Sequence, residues 1–388
     1  MPLWLFLSAC TTTWYNPAPV PGVELVDFTQ VVPSQGLPAE VVPDVSNNNL
    51  DVTWHDDRLF LAFRTGPSHF ASTETEMHVV SSLDEQDWRH EGSFAMGTDV
   101  REPQLVSWQG ELHLYMAVLG DNPLDFEPQG MVHHRYLGEG SWTEASWFDD
   151  PTFIPWRIKA VDGRLQMMGY SGGDAVYDPV DGEPIQIRWL ASDDATTWEP
   201  TIAGQEVVLE GGGSETDYVF LADGDLLAVV RNEAGDEHGF GSKICRAPAA
   251  DLGAWDCIGD PRKYDSPLLF TMRDRVWLVA RRNVTETGHY DLGLEDLDHS
   301  QQYLAYQADY WVNPKRCALW WVDPASRTVH HWMDLPSRGD TCFPEAVDYG
   351  DGEVLLYNYS SDPEGPDVSW VEGQTAPTFI HRMILRNL

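Results

Sequence analysis

The sequence predicts an all-β chain folded as a six-bladed β-propeller. Three observations lead there: a hairpin pattern that recurs six times, five tryptophans in step with it, and a near absence of helical periodicity. Each copy reads as a short apolar strand, a turn of Asp, Gly or Asn, and a second apolar strand. The turn residues supply the positive φ that tight hairpins need. In chain order the copies are Leu50–Arg64, Pro103–Ala117, Trp156–Tyr170, Asp217–Arg231, Ser266–Arg281 and Pro344–Tyr359. Trp88, Trp142, Trp198, Trp255 and Trp332 each close a later strand pair, so a unit holds four strands. The last unit supplies three clear strands, ending at Thr378–Arg386. Val23–Val32 is expected to be its fourth and to close the ring. The best helical stretch, His299–Trp311, falls in an insertion at 283–315 of the fifth unit. Residues 1–22 read as a signal and tether, and 23–388 as one propeller domain.

Charge narrows the partners. The 388 residues carry 62 acids against 24 bases, a net charge of −38, which disfavours nucleic acid and anionic membrane surfaces. Nearly all the bases are Arg, which stays protonated and grips carboxylates in a two-pronged way. An anion would need a local Arg-lined pocket. The chain is expected to be a monomer, and to meet membrane only through a lipid anchor.

That anchor is read from Leu7-Ser8-Ala9-Cys10, which looks like a bacterial lipobox, with Cys10 the lipidated residue. A cell-envelope location follows as an expectation, with a secreted form as the alternative. The remaining four cysteines fit an oxidising compartment. Cys245 and Cys257 flank a strand–turn–strand and form the favoured bridge; Cys317 with Cys342 is the second candidate. No zinc spacing is present, and no cofactor is expected. The acidic loop Asp291–Asp298 is a minor candidate for structural Ca²⁺, against the commoner reading of a solvated surface run.

Propeller geometry brings the starts of the innermost strands, and the ends of the strands that follow, to one face. Those positions hold Asn48, Asn49, Asp51, Arg64 and His69 in unit one, and Arg101 and Glu102 in unit two. Unit three gives Arg157, Lys159 and Tyr170; unit four gives Glu215, Asp217, Arg231 and Glu233. Unit five gives Asp265, Arg281, Arg282 and Arg316, and unit six Glu345, Asn358 and Tyr359. One reading is a salt-bridge network between blades. The other is a pocket for an anionic or uronate-containing sugar, bound by Arg231, Arg316, Arg64, Arg101 and Arg157, with aromatics such as Trp156, Tyr170 and Tyr359 for stacking.

The segment Gly211–Glu233 resembles the fourth-blade segment of sialidases, where Ser-Glu precedes an apolar strand, an Asp-Gly turn and a strand ending in Arg. Ala191–Trp198 resembles a degenerate Asp-box of the same superfamily. The resemblance implies that Glu215 matches the Glu that polarises the nucleophile, and that Arg231 and Arg316 match two carboxylate-binding arginines. The chain also departs from the pattern. The first-blade Arg-Ile-Pro is replaced by Asn47-Asn48-Asn49-Leu50-Asp51, and residues 65–76 contain no Asp for the acid/base role. Phe343 stands where the Tyr nucleophile is expected, and Phe can neither attack nor donate a proton. Carboxylate-pair glycoside hydrolysis therefore ranks above sialidase chemistry, with Glu215 as the central carboxylate. Glu102, Glu345 or His69 is expected as its acid, and Asp51 as a further candidate. A polysaccharide lyase and a non-catalytic glycan- or protein-binding lipoprotein are the alternatives.

Overall fold

Two-residue turns set the hairpins. Asp56 and Asp57 (φ 47° and 61°) join the first pair of strands, Gln109 and Gly110 (52° and 83°) the second, and Asp162 and Gly163 (49° and 80°) the third. Positive φ at both central residues matches the twist of the flanking strands, which is why this pattern repeats. A computed structural model describes residues 22–123, 125–172 and 184–387. Cys10 and most of the tether lie outside the described residues.

The strands form six antiparallel sheets, arranged as a propeller. Blade one runs Ser46–His55, Arg58–Gly66, Glu76–Ser82 and Trp88–Phe94. Blade two runs Val100–Trp108, Glu111–Leu119 and Pro128–Gly138, with short outer pieces at Ser141–Trp142 and Ser146–Trp147. Blade three runs Ile154–Val161, Arg164–Ser171 and Ile185–Ser192, with outer pieces at Glu199–Pro200 and Val207–Gly211. Blade four is Thr216–Phe220, Leu226–Asp236, Gly239–Ala247 and Asp256–Asp260; blade five is Leu268–Met272, Arg275–Asn283, Lys315–Asp323 and Thr328–Asp334. Blade six is Glu345–Gly350, Glu353–Ser361 and Thr378–Asn387, completed by Val23–Val32, which pairs from Val23↔Asn387 to Val32↔Ile380. The N-terminal strand thus closes the ring as the sequence predicts.

The core is a ring of interfaces between neighbouring blades rather than one mass. Leu227, Val229 and Ile244 of blade four pack with Leu278, Ala280 and Trp320 of blade five, all buried. Val279 and Leu319 of blade five pack in turn with Leu356 and Met383 of blade six. A polar clamp recurs along the channel. Asp51 accepts from the Leu105 N–H of the next blade, Gln104 from Ile158 N–H at 3.1 Å, and Asp217 from Leu269 N–H at 2.6 Å. Asp51 and Asp217 also accept from the next residue's N–H, each at 2.7 Å. Both acids, expected at the substrate, instead tie one innermost strand to its neighbour.

Both expected disulfides are present, Cys245–Cys257 directly across blade four and Cys317–Cys342 between blades five and six. The blade-five insertion carries helix α1 (His299–Val312), capped by Asp298, whose side chain accepts from Gln301 N–H in a capping box. Asp291 accepts from the N–H groups of Phe240 and Gly293. These two acids of the candidate Ca²⁺ loop therefore serve as local hydrogen-bond acceptors. Tyr303, Tyr306 and Tyr310 of α1 pack with Phe240 and Tyr290, which seats the helix over blades four and five.

Candidate active site at the channel mouth

One spacing builds the mouth. In blades one, four and five a polar residue at the start of the innermost strand meets an Arg ending the next strand, sixteen residues on in each case. The pairs are Asn48 with Arg64 (3.2 Å), Glu215 with Arg231, and Asp265 with Arg281 (3.0 Å). Antiparallel pairing puts the two ends of each hairpin side by side, so the repeat delivers three such pairs to one end of the channel.

The blade-four and blade-five side is dense with charge. Arg231 bonds Glu215, lies 3.0 Å from Glu233 and 3.5 Å from Asp265. Lys263 bonds Glu233 at 2.5 Å, and Arg281 bonds the Thr341 carbonyl at 2.6 Å. The insertion reaches in: the Tyr310 hydroxyl donates to Asp265 at 2.5 Å and Gln307 to Glu233 at 2.5 Å. Burial alone would raise Asp265, but Lys263, Arg281 and Arg231 outweigh it and hold the carboxyl at about 2. Glu233 is likewise lowered, burial being outweighed by Arg231 and Lys263. Glu215 goes the other way: burial raises it despite Arg231, and the Asp265 charge adds to the rise. A single Arg partner does not bring this carboxyl down to the ordinary range.

The blade-one and blade-two side is sparser. Asp99 holds both Arg64 (2.9 Å) and Arg101 (2.5 Å). Arg101 also donates to the His69 carbonyl at 2.5 Å. His69 Nδ1 lies 2.6 Å from Asp340, which also accepts from the Tyr359 hydroxyl at 3.0 Å. Burial lowers the His69 pKa although Asp340 pulls upward. Glu102 accepts from the Asn49 amide at 3.0 Å. Its pKa is pushed up to about 7, first by burial and then by the charge of Glu215, with Arg101 offsetting part. Both members of this hydrogen bond have left-handed backbones, φ 36° at Asn49 and 48° at Glu102. Non-glycine residues held there are strained, and such strain gathers at functional sites.

The other expected residues fall elsewhere. Arg316 is not brought to the cluster. It pairs across the sheet with Arg282, one residue out of step with Arg281, so it lies on the opposite face and bonds Asp367 at 2.5 Å. Arg157 is buried in the channel on Glu345 and on the Pro267 and Pro344 carbonyls. Glu345 is raised by burial despite Arg157, and Asp51 is raised by burial and by Glu345. Tyr170 and Trp156 are core residues beneath the rim, and Phe343 packs edge-on against Trp156. Tyr359 is buried with its pKa well above the usual range, raised by burial and Asp340, so it is not poised to lose its proton. Sequence reasoning left out Lys263, Tyr310, Gln307, Asp99 and Asp340. It noted Arg281 at the mouth without giving it a role, although the sixteen-residue spacing shared with Arg231 marks it.

No protein-family model matches the sequence, and no curated protein matches it. Solved structures do match. A Dyadobacter fermentans protein of unknown function aligns at 16% identity and TM-score 0.63, over 95% of this chain and 100% of its own. Trypanosoma rangeli sialidase aligns at 11% identity and TM-score 0.57, over 94% of this chain and 60% of its own. The same sialidase with 2,3-difluorosialic acid aligns at 10% identity and TM-score 0.54, over 88% and 54%. The chain shares the six-bladed propeller fold of these structures. It spans somewhat over half the length of those sialidase chains, and at such identities the likeness is one of fold. Within this propeller the residues at the mouth, not the fold, decide the chemistry.

Proposed function

We propose that the protein is a glycoside hydrolase acting on a glycan at the channel mouth, with Glu102 as the proton donor and Glu215 as the carboxylate that stays ionised. The observation that carries this is the setting of Glu102, bonded to the neutral Asn49 amide at 3.0 Å, where burial and the charge of Glu215 push its pKa up to about 7. A general acid works best with a pKa near the working pH, and two carboxyls in unlike surroundings divide the acid and base roles. Glu215 has a guanidinium and the Ser266 N–H (2.6 Å) as donors, whereas the Asn49 amide is the donor bonded to Glu102. Of the two, Glu215 is therefore the one to carry the charge as base or nucleophile. The Trypanosoma rangeli sialidase structures with sialic acid and its analogues support a glycan as the ligand class.

The substrate expected from the arginines, an anionic or uronate-containing glycan, requires one of them to exchange a carboxylate partner for the ligand's. A lyase finds less support, since His69 faces Asp340, Tyr170 is buried and Arg157 is engaged with Glu345. Glycan binding without turnover is the second reading, favoured by Phe343 in place of a nucleophilic Tyr. The two disulfides suit export, and we extend the proposal to a lipid anchor at Cys10. Processing that is insensitive to globomycin would count against the anchor. Incubating the protein with a panel of aryl glycosides, and repeating with Glu102→Gln, tests the hydrolase. Release of the aryl group by the parent chain and its loss in the variant are expected; no release from any substrate leaves the binding reading.

A further inference from the structure

Taking the mouth as a glycan site, we infer that the sugar ring bound beside Asn49 and Glu102 is uncharged: a hydroxyl-bearing neutral residue rather than a uronate or a sialic acid.

Four observations lead there. First, the cations at the mouth are already matched. Arg231 meets Glu215, Glu233 and Asp265; Arg281 meets Asp265 and a carbonyl; Arg64 and Arg101 share Asp99. A ligand carboxylate would have to displace a buried protein carboxylate from one of them, leaving that group charged and without its partner. Second, the first blade, which opens with an Arg in the sialidase pattern, here has the neutral amides of Asn48 and Asn49, of which Asn48 is engaged with Arg64, Ser46 and His69. An amide recognises a hydroxyl, which both donates and accepts, and it brings no charge to bind an anion. Third, Asn49 is 3% exposed, its amide nitrogen is used on Glu102, and its Oδ1 has no hydrogen-bond partner. A buried acceptor without a donor costs free energy until something donates to it. A sugar hydroxyl can donate and an ionised carboxylate cannot, so a hydroxyl rather than the acid group of a ring belongs at this position. Fourth, the charge of Glu215 already opposes ionisation of Glu102, and a further negative group beside Glu102 would be opposed in the same way. The overall charge of −38 repels an acidic polymer at longer range as well.

In chemical terms, Asn49 becomes a specificity and positioning residue. Its nitrogen holds the Glu102 carboxyl, and its oxygen accepts a hydrogen bond from one hydroxyl of the ring.

The test is binding rather than turnover, so that it stands apart from the hydrolase reading. The full-length chain, and its Glu102→Gln variant to prevent consumption of ligand, are titrated with neutral oligosaccharides and with their matched uronate and sialylated counterparts. Neutral ligands are expected to bind at least about tenfold more tightly than their anionic counterparts. Asn49→Leu should weaken the neutral ligands about tenfold, the loss of one buried hydrogen bond, while leaving the anionic ones unchanged. Should that variant fail to fold, Asn49→Ser, which stays polar but is too short to bring an acceptor to the place of Oδ1, serves with the same expected direction. Tighter binding of uronates or sialosides overturns the inference, and if those are cleaved the hydrolase reading survives it. Neutral ligands bound but never cleaved keep the inference and refute the hydrolase. No binding across the panel refutes both.

Discussion

On the blade-four and blade-five side of the mouth, Arg231 meets three carboxylates and Lys263 and Arg281 share two of them, so nearly every charge there has an opposite within bonding distance. On the blade-one and blade-two side the same repeat has Asn48 in place of an acid. Arg64 turns to Asp99, and Glu102 is bonded to an amide. Matched charge holds Asp265 at about 2, whereas the thinner side lets Glu102 rise to about 7. One repeat unit thus produces an ion-pair cluster that fixes geometry and, opposite it, a carboxyl able to hold a proton at neutral pH. The difference comes from which residue starts each innermost strand.

Changing a residue on either side should therefore break different things. The largest effect is expected from Glu102→Gln on turnover: kcat lower by about 10²–10⁴, the usual contribution of a positioned acid, with KM little changed. Steady-state kinetics on whichever aryl glycoside is cleaved checks this, and equal losses in kcat and in ligand affinity would reassign Glu102 to binding. Next comes Arg231→Ala, which leaves Glu215, Glu233 and Asp265 buried without it. It should cost about 3–5 kcal/mol of stability, measured by denaturant unfolding. A loss under about 1 kcal/mol would show that the dense side is not the framework.

Protonation gives a third contrast. The folded pKa of Glu102 lies above its unfolded value, so the parent chain loses stability as pH rises from about 4.5 through about 7. Glu102→Gln removes that loss. The variant should be more stable than the parent by about 3 kcal/mol at pH 8, and equal to it below pH 4.5. The buried histidines work in the opposite sense. His78, His133 and His381 are lowered to about 4 by burial, so they favour the folded chain above pH 6.5 and cease to as pH falls towards 4. Melting temperature should then decline between those values in parent and variant alike. The smallest effect is expected from Arg316→Ala. It breaks a partly exposed pair with Asp367, and should change stability by less than about 1 kcal/mol and leave glycan binding untouched.

Much of the fold was readable in the chain because hairpin turns, strand periodicity and repeated tryptophans are local signals. Closure by Val23–Val32, the place of the helical insertion and the Cys245–Cys257 pairing followed from the same repeat, whereas Cys317–Cys342 was only the second candidate. The site was less readable, for reasons of parity and distance. Arg281 and Arg282 are adjacent, and only pairing with Lys315–Asp323 shows that Arg316 shares a face with Arg282 rather than with Arg281. Asp51 and Asp217 stand at mouth positions in sequence, yet a neighbouring blade's N–H captures each of them, a contact no local pattern announces. Tyr310 and Gln307 arrive from an insertion whose docking depends on aromatic packing against Phe240 and Tyr290. Glu102 was a candidate by position, but its proton affinity depends on a carboxylate two blades away.

That proton is the most direct thing to measure. With glutamate labelled at its carboxyl carbon, and Glu102→Gln used to assign the signal, NMR across pH 3 to 10 follows Glu102 itself. A midpoint near 7 that falls when Glu215 is replaced by Gln is the expected result. A midpoint near the ordinary 4.5, indifferent to Glu215, would contradict a proton donor facing a charged carboxylate across this mouth.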